Sequence, residues 1–427
     1  MKVRSPAIEL LCLGTELLSG RLNTHQSHLS LELRRAGLKV SRETSLPDDA
    51  AAIAREVRSA LARCDALLVC GGLGPTFDDV TREGVSAALK KPLVYRPALY
   101  AAIKRRFLRR RLSVPEENRR QAFVIAGAEV MPNKRGSAPG QLIELPRLRR
   151  GAPRLIALMP GPYAELWPMF KGQVLPRLLR LRPKGAHAVH LLVHLSGIAE
   201  AAADESLAAA RQEAPEAEFT ILASAGQIDF HATASESSRP RARRLLARLR
   251  RRVYAAVGDH IFGEGPETLE SAAGAALRAR GLTLAVAESC TGGMLGSRLT
   301  AAAGSSDYFK GGVVAYSNDL KRRLLGVRRG TLARFGAVSA ECAREMAEGA
   351  RRLAASDVGL AVTGIAGPGG GSQAKPVGLV YASMAGPGRR PGVERELRLS
   401  GGREVIRQRA AAAALDLLIK RLRPQSC

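Results

Sequence analysis

Short apolar runs that stop at glycine turns constrain this chain more than any other feature. Ala7-Ile-Glu-Leu-Leu-Cys-Leu13 ends in Gly14-Thr15-Glu16, and Ala66-Leu-Leu-Val-Cys70 runs into Gly71-Gly72. Between them lie a helical pattern over 26–36, a strand-like segment over 37–41, and Asp48 or Asp49 placed to cap a helix running to Ala62. This βαβαβ rhythm predicts a parallel sheet with helices on its faces. Residues 91–172 extend the unit and bring another strand over 154–159 before Pro160-Gly161-Pro162. The rhythm returns after residue 268, with strands over 282–287, 311–315, 358–362 and 378–382 and helices over 291 onward, 340–355 and 404–423. In the middle, strands over 187–195 and 218–222 and an Arg-rich helix over 240–257 read as a small α+β piece. The Gly/Pro stretch over 258–267 reads as a linker. At 427 residues the chain exceeds one ordinary domain. The expected fold class is α/β: two three-layer domains with parallel-rich sheets, residues 1–172 and 263–427, flank a small α+β domain at 173–258.

Charge is the unusual compositional number. Lys and Arg total 66 against 39 Asp and Glu, a net charge of +27. The excess is scattered over Arg34, Arg35, the run from Arg105 to Arg111, Arg149, Arg150, the segment from Arg239 to Arg252, Arg351, Arg352, Arg389 and Arg390. A nucleic-acid surface pairs basic clusters with stacking aromatics, and aromatics are only 4% here. Solvated helix faces are therefore the first reading and phosphate-bearing partners the second, and nucleic acid is not expected as a partner. The six cysteines, Cys12, Cys64, Cys70, Cys290, Cys342 and Cys427, show no C-x-x-C spacing and read as reduced, mostly buried thiols. Met1-Lys2 leads into a strand-like run instead of the roughly 7–15 residue apolar core of a signal peptide. No stretch approaches the ~18–20 apolar residues of a membrane span. A cytoplasmic protein without a membrane partner is expected.

Three strand ends in the last unit carry chemistry. The first places Ser289 in Glu288-Ser-Cys-Thr-Gly-Gly293, where a strand gives way to a helix. A serine there is either a nucleophile or an N-cap. The second carries Tyr316-Ser317-Asn318, with Lys321 five residues after the tyrosine. A lysine desolvated beside a hydroxyl becomes a base, whereas a lysine on a helix surface is inert. The third is Thr363-Gly-Ile-Ala-Gly-Pro-Gly-Gly-Gly-Ser372, whose glycines can admit a phosphate or oxyanion, but which lacks the G-x-x-x-x-G-K-[ST] spacing of ATP hydrolases. In the first unit, Gly71-Gly-Leu-Gly-Pro-Thr-Phe-Asp-Asp-Val-Thr81 follows a strand. Either its glycines approach a phosphate while Asp78 and Asp79 hold a divalent cation, or the acids merely favour a helix start. His187, His190 and His194 invite a metal reading, as do His25 and His28. On a strand, however, His187 points away from the other two, so no metal role is assigned.

At these residues the chain resembles the CinA family. The resemblance runs through Ala287 to Gly293, Gly304-Ser-Ser306, Gly311 to Asn318, Leu324 to Val327, Gly336 to Ser339, Val362 to Ser372 and Lys375-Pro-Val-Gly378. It implies a nicotinamide-nucleotide amidohydrolase (NMN deamidase) that needs no cofactor and converts nicotinamide mononucleotide to nicotinate mononucleotide and ammonia. On that resemblance Ser289 is the nucleophile, Lys321 and Tyr316 activate it and move protons, and Thr363 orients the amide or its oxyanion. Arg403 holds the anionic substrate, with Gly292, Gly293, Ser305, Ser306, Asn318, Gly364 and Gly367 lining the site; Ser305 and Ser306 are rival nucleophiles. Leu379 replaces a usual threonine, and Ser400-Gly-Gly-Arg403 replaces Gly-Asp-Arg. The first unit resembles the MoaB/MogA-like molybdopterin-binding domain through Gly14-Thr15-Glu16-Leu-Leu18, Asn23-Thr24, Pro47-Asp48, Gly71 to Thr81, Asn118 to Gln121, Ala138-Pro-Gly140 and Pro160-Gly-Pro162, with His25 where asparagine is usual. This implies a site built from Gly14, Thr15, Glu16, Asp48, Gly71, Gly72, Gly74, Thr76, Asp78 and Asp79. ADP-ribose would be its substrate and a divalent metal would sit at Asp78 and Asp79. The middle piece resembles a KH-like domain without a G-x-x-G clamp. The resemblance further implies a homodimer. The competing readings are a molybdopterin-related protein without amidase activity and a DNA-associated competence factor.

Overall fold

A computed structural model of the chain describes residues 6–146, 154–182, 187–387 and 392–423. Arg149, Arg150, Arg389, Arg390 and Cys427 lie outside these. The described residues form two compact units: Met1–His190 with Thr233–Arg244, and Leu191–Ala232 with Leu245–Cys427.

The first unit is built on a six-stranded sheet in the order Lys39–Leu46, Ala7–Leu13, Ala66–Cys70, Arg154–Met159, Gly140–Leu145, Glu129–Met131. The first four strands are parallel and the last two antiparallel. Successive side chains of a strand point to opposite faces, and the core divides accordingly. Ile8, Leu10 and Cys12 pack with Leu29 and Leu33 of the helix Thr24–Arg35. Leu11 and Leu13 pack with Ile53 and Val57 of Ala50–Arg63 on the other side. Asp49, rather than Asp48, caps that second helix, accepting from the Ala52 N–H at 2.6 Å.

The second unit carries a five-stranded sheet ordered Phe309–Val314, Leu284–Glu288, Val358–Gly364, Leu379–Ala385, Val393–Arg398. Its first three strands are parallel and its last two antiparallel. Leu284 and Val286 face Leu277, Leu415 and Leu418, whereas Ala285 and Ala287 face Met346, Ala347 and Ala350 of the helix Ala340–Leu353. That second face is lined by small residues, so the helix sits very close: a Cβ on Gly359 would lie 2.0 Å from the Ala347 carbonyl oxygen.

The middle residues form a four-stranded sheet ordered Ala217–Ser224, Gln227–Glu236, His187–Leu195, Ile261–Glu264. The last strand corrects the linker expected over 258–267. Ile261 pairs antiparallel with Leu195 and Glu264 with Val193, and Ile261 and Phe262 are buried. Two apolar residues with free backbone groups outweigh the surrounding glycines once a partner strand is present. His194 and His190 of this sheet have protein partners. His194 lies between Asp229 Oδ1 at 2.7 Å and the Gly265 carbonyl at 3.0 Å, and His190 meets Thr233 Oγ1 at 3.0 Å. Among the described residues no helix is long and apolar enough to cross a membrane.

The close packing makes a prediction. A Cβ on Gly349 would meet the Leu325 carbonyl oxygen at 2.0 Å, whereas one on Gly330 meets nothing within 4 Å. Gly349→Ala is expected to lower unfolding stability by about 1–3 kcal/mol despite alanine's better helix propensity, and Gly330→Ala to leave it unchanged or slightly raised. Urea titration of both variants measures this.

Candidate active site

The parallel strands of the second unit end together, and the Glu288–Gly293 turn stands at the end of the central Leu284–Glu288 strand. Its next helix, Met294–Ala301, leaves several N–H groups unpaired at its start. The Glu288 carboxylate takes three of them: Gly293 at 2.9 Å, Leu295 at 3.0 Å and Gly296 at 2.8 Å. Glu288 is buried, so its charge is held by these amides and by the positive end of the helix. Capping therefore falls to the residue before Ser289, and the choice left open between nucleophile and cap is resolved against the cap. It also means that the helix end is already matched by a carboxylate and is not presented bare to an anion. Gly293 adopts φ +95°, a left-handed conformation that suits glycine, and this swings the chain from the turn into the helix.

Ser289 meets Lys321. The Lys321 Nζ lies 3.0 Å from Ser289 Oγ, 2.8 Å from the Ala315 carbonyl and 3.1 Å from the Tyr316 carbonyl. Lys321 is 1% exposed and Ser289 8% exposed. Burial pulls the lysine below its ordinary pKa, against a weaker opposing influence of the Cys342 and Cys290 thiols. None of the three hydrogen-bond partners is a carboxylate that would restore the charge. In its neutral form the amine has two N–H groups and one lone pair; the two carbonyls can only accept, so in that form they take the N–H groups and leave the lone pair to the Ser289 hydroxyl, whereas in the ammonium form Ser289 Oγ accepts as well. The geometry puts a serine hydroxyl in contact with a buried lysine amine. Burial pushes the adjacent Cys290 thiol up to about 11, so it stays protonated and does not compete as a thiolate.

The other expected residues divide into those that join this centre and those that do not. Tyr316 contributes its backbone carbonyl to Lys321, while its side chain is 60% exposed and its hydroxyl accepts from Arg403 Nη2 at 3.1 Å. Arg403 also donates to the Gly367 carbonyl at 2.6 Å, linking the tyrosine turn to the glycine-rich loop. The Thr363 hydroxyl donates to the Ala337 carbonyl at 2.8 Å. Its proton is thus engaged in holding the neighbouring turn and is not directed to an oxyanion. Gly364 is needed by strand pairing, since a Cβ there would lie 2.8 Å from the Leu379 carbonyl oxygen. Gly292 borders Arg407, and Asn318 opens the helix Asn318–Arg323 in an exposed position. Ser305 and Ser306 are corrected as rival nucleophiles. They form a short turn before the strand Phe309–Val314, whose Phe309 pairs with Leu284 at the start of the central strand, so they lie at the opposite sheet edge from Ser289.

Three residues were missed in the sequence. Glu288 is one, although an acid just before a helix is a known start signal. Arg407 is another: it donates to the Thr291 carbonyl at 2.8 Å, and its i,i+4 spacing from Arg403 was visible. Lys375 donates to the Phe335 and Val338 carbonyls at 2.5 and 2.7 Å, bracing the turn that Thr363 also holds, and nothing local announced it.

In the first unit, the Thr15 N–H and hydroxyl donate to Asp48 at 2.9 and 3.1 Å, tying the Gly14-Thr15-Glu16 turn to the neighbouring strand end. The Gly71–Asp79 loop folds around Asp79, which accepts from the Gly74 N–H at 2.7 Å, the Thr76 N–H at 2.8 Å and the Thr76 hydroxyl. Buried Arg82 braces the loop from beneath through the Leu73 and Gly74 carbonyls at 2.8 and 3.0 Å. Gly71 and Gly72 serve packing: a Cβ would meet the Leu13 carbonyl at 2.3 Å and Thr81 Oγ1 at 2.1 Å. The expected pairing of Asp78 with Asp79 on a metal does not fit this donor set. Asp79 turns inward onto its own loop and Asp78 faces solvent. Among the described residues no three His, Cys, Asp or Glu side chains gather to hold an ion.

The family model for the CinA C-terminal domain matches residues 266–422, that for the CinA KH domain 191–263, and that for a molybdopterin binding domain 9–180. A competence-damage inducible protein of Moorella thermoacetica is 42% identical over 422 residues, 98% of this chain and 99% of its own length. A CinA-like protein of Solibacter usitatus is 40% identical over 415 residues, 97% of this chain and 98% of its own. Among solved structures, the competence/damage inducible protein CihA of Agrobacterium tumefaciens is 43% identical, covering 36% of this chain and 95% of its own with a TM-score of 0.34. Full-length similarity at this level, joined to domain matches in the same order, places the chain in the CinA family.

Proposed function

We propose that the second unit is a nicotinamide-nucleotide amidohydrolase that hydrolyses the carboxamide of nicotinamide mononucleotide to the carboxylate and ammonia. The observation that carries this reading is the contact between Ser289 Oγ and a buried Lys321 with no carboxylate among its partners. An amide is cleaved by an attacking oxygen, a base to deprotonate it and an acid to protonate the leaving nitrogen. In this reading Ser289 Oγ attacks the carboxamide carbon while Lys321 Nζ takes its proton. The resulting ammonium gives that proton to the leaving nitrogen, the C–N bond breaks, and ammonia departs from an ester on Ser289. Lys321, neutral again, deprotonates a water that attacks the ester carbonyl. The C–O bond to Ser289 breaks, the serine recovers its proton, and nicotinate mononucleotide is released. Arg403, anchored by Gly367 and Tyr316, is the cation this reading assigns to the substrate's anionic group. No metal enters the scheme. Hydrolysis of ADP-ribose by the first unit is not part of the proposal, because Asp79 is taken up by the N–H groups of its own loop while Asp78 is exposed.

Ammonia release from nicotinamide mononucleotide by the purified full chain is the direct assay. Ser289→Ala is expected to lower kcat by at least about 10³-fold and Lys321→Met by about 10²–10⁴-fold, with circular dichroism unchanged. Activity retained by a folded Ser289→Ala would refute the assignment. Absence of turnover in the wild-type protein would remove the amidase reading altogether.

The pH profile has a definite sign. The active form of Lys321 is neutral, so kcat/KM rises with pH through a single ionisation. Burial has lowered that ionisation, so the half-maximal point falls below the ordinary lysine range. Lys321→Arg, which stays protonated, is expected to abolish the limb together with the activity. A limb that survives in Lys321→Arg would assign the ionisation elsewhere.

A further inference from the structure

The run from Arg105 to Arg111, read in the sequence as a charge cluster of undecided purpose, borders a cavity of about 650 Å³ in the first unit. One wall is the helix Pro97–Leu108 with Arg109 at its C-terminal cap, and it contributes Leu99, Ile103, Arg105, Arg106 and Arg109. The other wall is the segment from Val130 to Pro139, which contributes Lys134 and the Ser137 hydroxyl. This second wall is built around Asn133. Its Oδ1 accepts from the Arg135 and Gly136 N–H groups at 3.0 and 2.8 Å, and its Nδ2 donates to the Ala138 carbonyl at 2.8 Å and to Glu165 at 2.7 Å. Arg106 Nη1 donates to the Lys134 carbonyl at 3.1 Å and ties the two walls together.

Four cations line the cavity and no Asp or Glu does. Among the described residues, none of Arg105, Arg106, Arg109 and Lys134 forms an ion pair. The negative end of a helix favours basic residues in its last turn, which accounts for Arg105 and Arg106. It does not account for Lys134 arriving from the facing wall. Like charges gathered around one hollow repel one another, and an anion seated among them relieves that repulsion through charge-assisted hydrogen bonds. The volume is that of a site for one small molecule, and the lining offers no aromatic ring on which successive bases of a nucleic acid could stack. The apolar floor of Leu99, Ile103 and Val130 can take an organic portion. None of the residues of the Gly71–Asp79 loop takes part.

We propose that this cavity is a binding site for a small phosphorylated molecule, with the phosphate held by Arg105, Arg109 and Lys134. The test is calorimetric titration of the full chain with pyrophosphate and with ADP at about 150 mM salt. The expected result is binding of at least one probe that weakens 10-fold or more in Arg105→Glu/Arg109→Glu. The same loss is expected in Lys134→Glu, a second variant from the opposite wall should the helix variant fail to fold. Arg55→Glu/Arg58→Glu, which changes the net charge equally on an exposed helix face away from the cavity lining, is expected to change affinity less than 2-fold. Tighter binding of ADP identifies an organic phosphate as the ligand, and tighter binding of pyrophosphate an inorganic one. An equal loss in the Arg55→Glu/Arg58→Glu control would reduce the effect to overall charge and overturn the site. Failure of both probes with the wild-type chain would overturn it too, including the case in which a single-stranded RNA of about 20 nucleotides binds instead.

Discussion

A lysine amine buried without a carboxylate beside it is the constraint around which the second unit is arranged. Removing an ammonium from water is costly, so such a group either finds an anion or loses its proton. Here two backbone carbonyls hold the Nζ and accept its N–H groups. Supplying them requires the chain to leave the strand Phe309–Val314 with the Ala315 and Tyr316 carbonyls turned inward. It must then double back at once. Ser317 makes this possible by capping the helix Asn318–Arg323, accepting the Leu320 N–H at 3.2 Å, so that Lys321 returns beneath the strand end it left.

Glu288 is the counterpart of this arrangement. A buried carboxylate beside Lys321 would favour the lysine's charged form and oppose the lowering that burial causes. Glu288 is instead occupied by three amides at the start of the helix Met294–Ala301. Each buried ionisable group is thus satisfied by backbone of the sign it needs, and the two do not form a pair. The small residues of Ala285 and Ala287, and the glycines at 349 and 359, let the helix Ala340–Leu353 pack closely against the sheet and the Leu325 carbonyl, just after the lysine. The chemistry of the site and the tightness of the core on that side therefore have a common origin.

The architecture was largely legible because its signals are local. Short apolar runs over 7–13 and 282–287 foretold strands, and the helical patterns between them foretold parallel order. Elements whose reason for existing lies in a distant partner were missed. Val393–Arg398 is a charge-rich, half-buried edge strand that pairs with Leu379–Ala385, and Ile261–Glu264 becomes a strand only because Val193 to Leu195 offer it a ladder. In the site, Ser289 and Lys321 were visible as residue types at strand ends. That Tyr316 would act through its carbonyl, that Thr363 would bind a neighbouring turn, and that Asp79 would close its own loop depend on backbone directions that residue identity does not encode.

By itself the sequence determined the α/β rhythm, the serine and lysine that form the centre, and the charge excess, because each is a property of residues near one another in the chain. The tertiary structure alone decided which of these meet. It brought Lys321 to Ser289 across 32 positions, put Ser305 and Ser306 at the other sheet edge, and gathered Arg105, Arg109 and Lys134 around one cavity. The physical reason is that burial and hydrogen-bond geometry, which set a lysine's protonation and a hydroxyl's direction, arise only when distant segments exclude water together.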